Sequence, residues 1–381
     1  MKSTGTLCVH PLEPSGAPDG AVTAAVMPAV AYAYGDTDAL RYPGFYSTYN
    51  QQRVGQIVAN LEKGSWGIAH SSGMAAISTA ILSFAQQGDH VLFSRDLYGG
   101  TWKLAEQELP KRGIRCSYAG NTLAEFEAQL EKDTKVIYLE TPANPLLNIV
   151  PLKAVASLAA SRGIVTIVDN TFATPINQQP LLLGIDIVIH SGTKYLGGHN
   201  DLPFGVLVAA DEEHRSRIMD TAKMYGGSLA PQECYLAERS LKTLALRVQQ
   251  HNANGLALAE YLSVCPEVGQ VFYPGLPSHR DYQLACEQMS AFGGMLSFEL
   301  NATSDQLQAF LGHLELIKPA LSLGGVESLI CQPSTTSHRA LSAAARQELG
   351  IADNLLRLSA GIEDAADLKA DIEQAIRRAG I

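Results

Sequence analysis

Five short runs constrain this chain more than anything else in it: HVLFS (90–94), KVIYLE (135–140), GIVTIVDN (163–170), DIVIHS (186–191) and GVLVAA (205–210). Each is β-branched or apolar without strict polar alternation, and helical stretches separate several of them. Strands buried on both faces read this way. Their alternation with helices predicts a parallel sheet covered on both sides, an α/β architecture. Residues 54–61 and 74–82 carry helical period ahead of the first runs. Pro151 suits the first turn of a helix continued by Leu152, Val155, Leu158 and Ala159.

Two regions read differently. After about residue 245 a helical stretch (248–262) leads to GMLSFEL (294–300) and LLRLSAG (355–361), which alternate with period two. Leu368, Ile372 and Ile376 then recur at helical spacing. Strands with one polar face plus helices predict an antiparallel sheet with helices on one side, a smaller α+β unit. The first 45 residues carry Pro11, Pro14, Pro18, Pro28 and Pro43, several glycines and little helical period. They are expected to form an extended arm lying on its own body or on another subunit. The resulting division is an arm at 1–45, a large domain at 46–244 and a small C-terminal domain at 245–381.

With 381 residues, 46% of them apolar and 17% charged, the chain can bury a full core. Its net charge of −10 gives no global pull towards nucleic acid or anionic lipid. It has no apolar run long enough to span a bilayer, and its first residues lack the apolar core of a signal peptide. The six cysteines, Cys8, Cys116, Cys234, Cys265, Cys286 and Cys331, are scattered without a CxxC pair or a neighbouring histidine cluster. Reduced thiols in the cytoplasm are expected, and no metal site.

In parallel α/β sheets ligands sit beyond the carboxyl ends of the strands, so candidate chemistry belongs there. The runs end at Asp169-Asn170-Thr171, at Ser191-Gly192-Thr193-Lys194 and at Glu140-Thr141-Pro142-Ala143-Asn144. HVLFS leads to Tyr98-Gly99-Gly100, and WGIAH leads through Ser71 and Ser72 to Gly73-Met74. Together they suggest a site for a phosphorylated aromatic cofactor. Gly73 and Met74 at a helix N-terminus can offer N–H groups to a phosphate, and Ser191 and Thr193 can add hydroxyls. Lys194 can bond a carbonyl cofactor covalently, Asp169 can hold a pyridine nitrogen protonated, and Tyr98 can cover the ring. Each residue alone has a plainer reading: packing at Gly73-Met74, a helix cap at Asp169, a solvated lysine at 194, a turn tyrosine at 98. Their coincidence at successive strand ends favours the cofactor. No GxGxxG follows a strand, which argues against a nicotinamide or flavin site.

VDNTFATP (168–175) and HSGTKYLGGHND (190–201), with LYGGT (97–101), ETPANPLL (140–147), FGGMLSFEL (292–300), SLGGVESLI (322–330) and LLRLSAGIED (355–364), resemble the Cys/Met-metabolism enzymes that use pyridoxal 5'-phosphate (PLP). That family includes cystathionine γ-synthase, cystathionine γ-lyase, methionine γ-lyase, cystathionine β-lyase and the homoserine-ester sulfhydrylases. The resemblance covers nearly the whole chain. It implies an aspartate-aminotransferase-type large domain with a mixed, mostly parallel sheet, a small α+β domain, and a homotetramer built as a dimer of dimers. It implies that Lys194 carries the cofactor and shuttles protons, Asp169 pairs with the ring nitrogen and Tyr98 stacks and assists the leaving group. Gly73, Met74, Ser191 and Thr193 hold the phosphate, and Asn144 approaches the ring hydroxyl. Arg357 clamps the amino-acid carboxylate, supported by Ser322 and the backbone near Leu323.

Two positions depart from the family. Its usual Tyr-x-Arg, given to the neighbour's phosphate, falls here in LRYPGFYSTYNQQRV. Tyr42 matches better than Tyr46, but Gly44 or Thr48 then stands where the arginine would be, and Arg41 or Arg53 is left to substitute. Leu321 occupies a place usually glutamate in the cystathionine synthases and γ-lyases, whereas Gly100 matches those enzymes rather than methionine γ-lyases. The expected reaction is γ- or β-elimination from a methionine- or cystathionine-like amino acid. A γ-replacement synthase using acylated homoserine is the alternative, and a non-catalytic α/β binding protein is a third reading.

Overall fold

The computed structural model describes residues 2–12, 20–33, 40–337, 339 and 342–381. Seven strands form the larger sheet: β1 (Trp66–His70), β2 (His90–Ser94), β3 (Arg115–Ala119), β4 (Thr134–Glu140), β5 (Val165–Asp169), β6 (Ile187–Ser191) and β7 (Gly205–Ala209), in the order β1-β7-β6-β5-β4-β2-β3. From β6 to β3 every pairing is parallel. The strand β7 is antiparallel to both neighbours, so the sheet is mixed and the purely parallel reading of GVLVAA is corrected. The cause is the connection: residues 192–204 are turns rather than a crossover helix, so the chain returns antiparallel. Apolar clusters cover both faces: Ile77, Phe93 and Ile189 belong to one, Leu92, Ile137 and Val188 to another.

The second sheet contains β8 (Val268–Phe272), β9 (Met295–Leu300), β10 (Lys318–Pro319), β11 (Leu329–Cys331) and β12 (Leu355–Ser359), in the order β10-β11-β12-β9-β8. All pairs are antiparallel except β10 with β11. Leu296, Phe298, Leu356 and Leu358 pack on Leu258, Phe310, Leu368 and Ile372 from three helices. The opposite face, with Ser297 and Arg357 in register, was expected to be solvated and is instead buried. Ser297 Oγ donates to the Pro145 carbonyl at 2.7 Å, so that face sits on the large sheet's strand-end loops.

Part of the arm is helical rather than extended. Helix α1 (Thr4–Val9) starts with Ser3 Oγ accepting the Thr6 N–H and buries Cys8. Cys8 and Leu7 pack in one apolar cluster with Val54, Ile57 and Leu244. Helix α2 (Tyr49–Glu62) holds the rest: Asn60 donates to the Pro11 carbonyl, and Asn50 bonds Met27 N–H and the Ala25 carbonyl. The described arm therefore lies on its own body. Pro14 and Pro18 lie outside the described residues. Among the described residues no helix is long and apolar enough to cross a membrane, and all six cysteines are free thiols.

Candidate active site

The carboxyl ends of β1, β4, β5 and β6 meet beneath the buried polar face of β12. Helix α3 (Gly73–Phe84) begins directly after β1, capped by Ser72 Oγ, which accepts the Ala75 N–H at 3.1 Å. The N–H groups of Gly73 and Met74 have no acceptor among the described residues, which leaves an anion cradle at a three-turn helix. A Cβ on Gly73 would stand 2.9 Å from the Ser191 Cβ, so only glycine lets β6 approach this closely. Ser191 thus lies against the cradle. The Thr193 hydroxyl lies on the same turn but is engaged with Phe204, whose N–H donates to it at 3.1 Å.

Lys194 follows on that turn. Its Nζ donates to Ser322 Oγ at 2.8 Å. Burial, and then the nearby Arg357 guanidinium, lower its pKa from the ordinary 10.5 to about 8, so the amine is neutral over an accessible pH range. Arg357 is buried in the middle of β12. One terminal nitrogen donates to Asn144 Oδ1 and the other to the Ser322 carbonyl, both at 3.0 Å, while Nε has no partner among the described residues. A buried guanidinium with unengaged N–H groups fits an incoming carboxylate. Ser322 adopts φ 95°, an uncommon conformation for a non-glycine residue, and presents its hydroxyl and carbonyl to different cations. Leu323 beside it is buried in the core.

Asp169 closes β5 and is held by the Thr171 N–H at 2.9 Å. Burial raises its pKa, opposed by Thr171 and by the charge field of His190. Glu140, its register neighbour on β4, is also buried, and burial followed by Asp169 pushes its carboxyl well above the usual range. Tyr98 caps the short helix α4 (Gly99–Lys103) with its ring 55% exposed, and its N–H donates to Glu140 Oε2 at 2.7 Å. A Cβ on Gly100 would meet that ring at 2.5 Å and Met74 Sδ at 2.8 Å, so glycine brings Tyr98 beside Met74.

The residues fit a phosphorylated pyridine aldehyde. The anion cradle, a half-buried acid, a lysine of lowered pKa and an unfilled guanidinium fork gather at the strand ends beneath β12. Tyr98 and Asn144 also line a neighbouring cavity of about 840 Å³, whose walls carry Arg95, Lys103 and Arg339. The cavity's one acid among the described residues, Asp96, accepts from Asn121 and Asn148, so the walls carry three cations against one carboxylate. Reasoning from the sequence missed these cations and gave Glu140 no role. A charged residue ending an apolar strand run was the available signal for Glu140; nothing local marks the others.

Leu321 is 64% exposed, stands next to Ser322 in the chain and is not among the residues lining that cavity. Arg53 cannot cover the phosphate, because it is buried against Glu238 with contacts of 2.8 and 2.6 Å. Tyr46 is buried, its hydroxyl 3.3 Å from His70 Nδ1, whereas Tyr42 is exposed; only Tyr42 can reach outward.

Residues 5–377 match the family described as Cys/Met metabolism PLP-dependent enzyme. A cystathionine beta-lyase of Lactococcus lactis subsp. cremoris is 44% identical over 85% of both chains. The solved cystathionine gamma-lyase of Lactobacillus plantarum, complexed with L-serine, superposes with a TM-score of 0.95 at 38% identity over the full length of both. The cystathionine gamma synthase of Xanthomonas oryzae pv. oryzae, in complex with cystathionine, gives 0.94 at 37% over 100% of this chain and 99% of that one. Strand-end chemistry, architecture and sequence agree over nearly all of the chain, which belongs to the Cys/Met-metabolism family of PLP-dependent enzymes.

Proposed function

We propose that this enzyme is a carbon–sulfur lyase that eliminates a thiol from a cystathionine-like amino acid. One observation carries the choice of substrate: the site opens beside Tyr98 and Asn144 into a cavity with three cations on its walls. Cationic walls favour a substrate whose distal arm ends in a carboxylate over the short apolar arm of methionine. Leu321 is exposed beside Ser322 and is not among the residues that line that cavity.

Pyridoxal phosphate, when bound, supplies an electron sink for the pair released at Cα. Gly73, Met74 and Ser191 would hold its phosphate, with Thr193 as a further donor, and Asp169 would face its nitrogen. Lys194 would hold it, and its amine would take the Cα proton; a pKa near 8 suits that task. Arg357, steadied by Asn144 and Ser322, would orient the carboxylate, and Tyr98 would give the leaving thiolate its proton. Elimination at Cγ of cystathionine gives cysteine, ammonia and a four-carbon keto acid; elimination at Cβ gives homocysteine, ammonia and pyruvate.

The same reading includes a cytoplasmic homotetramer with an arm at 1–45, a large domain at 46–244 and a small one at 245–381. Exposed Leu40, Tyr42, Phe45, Met224 and Tyr225 support a subunit contact through which Tyr42 reaches the partner's phosphate. A γ-replacement synthase is the second reading, because an acylated homoserine with an acidic acyl arm suits the same cations. Methionine, cystathionine, cysteine and O-acyl-homoserines, with and without added thiol, separate the two. Cystathionine should release thiol and keto acid with kcat/KM at least about tenfold above methionine, roughly 1.4 kcal/mol of discrimination. Condensation of cysteine with acyl-homoserine without cystathionine breakdown would establish the synthase instead.

A further inference from the structure

The strand-end acid Glu140 is not needed to hold any part of the cofactor, yet it is buried at the centre of the site. It shares register with Asp169 on the neighbouring parallel strand, so the two carboxyls stand side by side on one face. Oε2 accepts the Tyr98 N–H at 2.7 Å, and Oε1 lies 3.4 Å from the Tyr138 hydroxyl. Its own N–H donates to Ser94 Oγ on β2, which fixes the strand end. The groups facing it are thus Asp169 from β5, Tyr138 from β4, Ser94 from β2, the Thr101 hydroxyl of α4 and the Tyr98 backbone; His190 on β6 acts on Asp169.

We infer that Glu140 is a positioning residue that fixes Tyr98 over the site and, by staying protonated, keeps Asp169 the single charged carboxylate of the pair. This rests on the cofactor reading above. Two adjacent carboxyls, Glu140 buried and Asp169 half-buried, do not both ionise readily, because each raises the other's cost of charge. Asp169 has the Thr171 N–H, the field of His190 and the cofactor nitrogen to hold its charge. Among the described residues Glu140 has only neutral donors, the Tyr98 N–H, the Thr101 hydroxyl and a distant phenol, and no positive charge beside it, so the proton resides there. Its other task is mechanical. The Tyr98 N–H opens a helix of only five residues that runs directly into a π-helical turn (Leu104–Glu108), so Glu140 is the tie between that segment and the sheet.

The test uses the cofactor-loaded enzyme and three readouts: visible circular dichroism of the bound cofactor, the pH midpoint of its absorbance band, and kcat against KM. Glu140→Ala should lower kcat about tenfold with KM moved less than about threefold, and should weaken the visible dichroism. In a Tyr98→Ala background the same substitution should add little, because residues acting through one another are not additive. Glu140→Gln, neutral and able to accept the Tyr98 N–H, should rescue kcat and dichroism and leave the spectral midpoint within about 0.3 pH units of the parent. Independent, multiplying effects of Glu140→Ala and Tyr98→Ala would overturn the inference. So would a midpoint moved by about one unit in Glu140→Gln, since that requires a charged Glu140. Should Glu140→Ala fail to fold, the Glu140→Gln titration decides alone. A parent enzyme with no cofactor band would refute the cofactor reading itself, which no result on Glu140 can do.

Discussion

Arg357→Lys keeps a cation in β12 but removes the planar fork. In the parent, Arg357 satisfies Asn144 Oδ1 and the Ser322 carbonyl, each at 3.0 Å, and still has N–H groups to spare for a carboxylate. A lysine's single ammonium cannot reach both acceptors and the substrate in that geometry. One charged hydrogen bond to the substrate is worth about 1.5–3 kcal/mol, so KM should rise roughly ten- to hundredfold. The charge beside Lys194 is retained, so kcat should fall far less than KM rises. Stability should fall by about 1–3 kcal/mol as a buried acceptor loses its partner. Keto-acid release at several substrate concentrations gives both constants, and urea unfolding gives the stability. An unchanged KM would mean that the carboxylate is read elsewhere. A fall in kcat alone would mean that Arg357 acts on Lys194 rather than on substrate.

Lys194→Ala should fold, retain some cofactor through the phosphate cradle and release no keto acid; turnover at the parent rate would sink the assignment of Lys194. In cofactor-free protein the folded Lys194 has a pKa of about 8 against 10.5 unfolded. The unfolded chain therefore binds more protons between these values, and this group's penalty is full below pH 8 and relieved as pH rises towards 10.5. Lys194→Met should remove up to about 3 kcal/mol of that pH-dependent difference in urea unfolding, and parallel pH curves for parent and variant would contradict the burial argument. Gly100→Cys should push the Tyr98 ring off its place, since a Cβ there would come within 2.5 Å of it. The exposed ring can swing aside, so activity should drop with little change in thermal stability, whereas unaltered kcat would mean that Tyr98 needs no fixed position. Arg53→Ala should destabilise by about 3–5 kcal/mol by leaving Glu238 buried and unpaired. A variant as stable as the parent but poor in cofactor would restore Arg53 as a phosphate ligand.

Strand-end chemistry was legible because it is local. Asp169, Ser191 and Lys194 each end or follow an apolar run, and a run shows where its strand stops. The direction of β7 was not legible, since it depends on whether residues 192–204 cross over or turn back. Strands β3 and β8 escaped notice because they are partly exposed and lack a continuous apolar run. Period two was read correctly in β9 and β12, but alternation cannot say whether a polar face meets water or another unit. The buried pair Arg53–Glu238 joins positions 185 apart in sequence, and neither residue carries a local sign of it. The same limit separated Tyr42 from Tyr46: both sit in one aromatic stretch, and only the core around His70 decides which is buried.

The site itself depends on such distant closures. Lys194 meets Ser322 across 128 positions, and Arg357 meets Asn144 across 213. Each contact joins a strand-end loop of the large sheet to the second sheet or its flanking loop, so the Lys194 amine and the Arg357 guanidinium have no fixed relation until the two sheets pack. Ser322 makes that relation specific. Its hydroxyl takes Lys194 and its carbonyl takes Arg357, in a left-handed conformation that glycine would adopt at less cost. Glycine would ease the backbone and lose the hydroxyl; alanine would lose the hydroxyl and keep the strain. Arg357 needs only a backbone carbonyl that any residue supplies, so it is the Lys194 contact that calls for a serine there despite φ 95°.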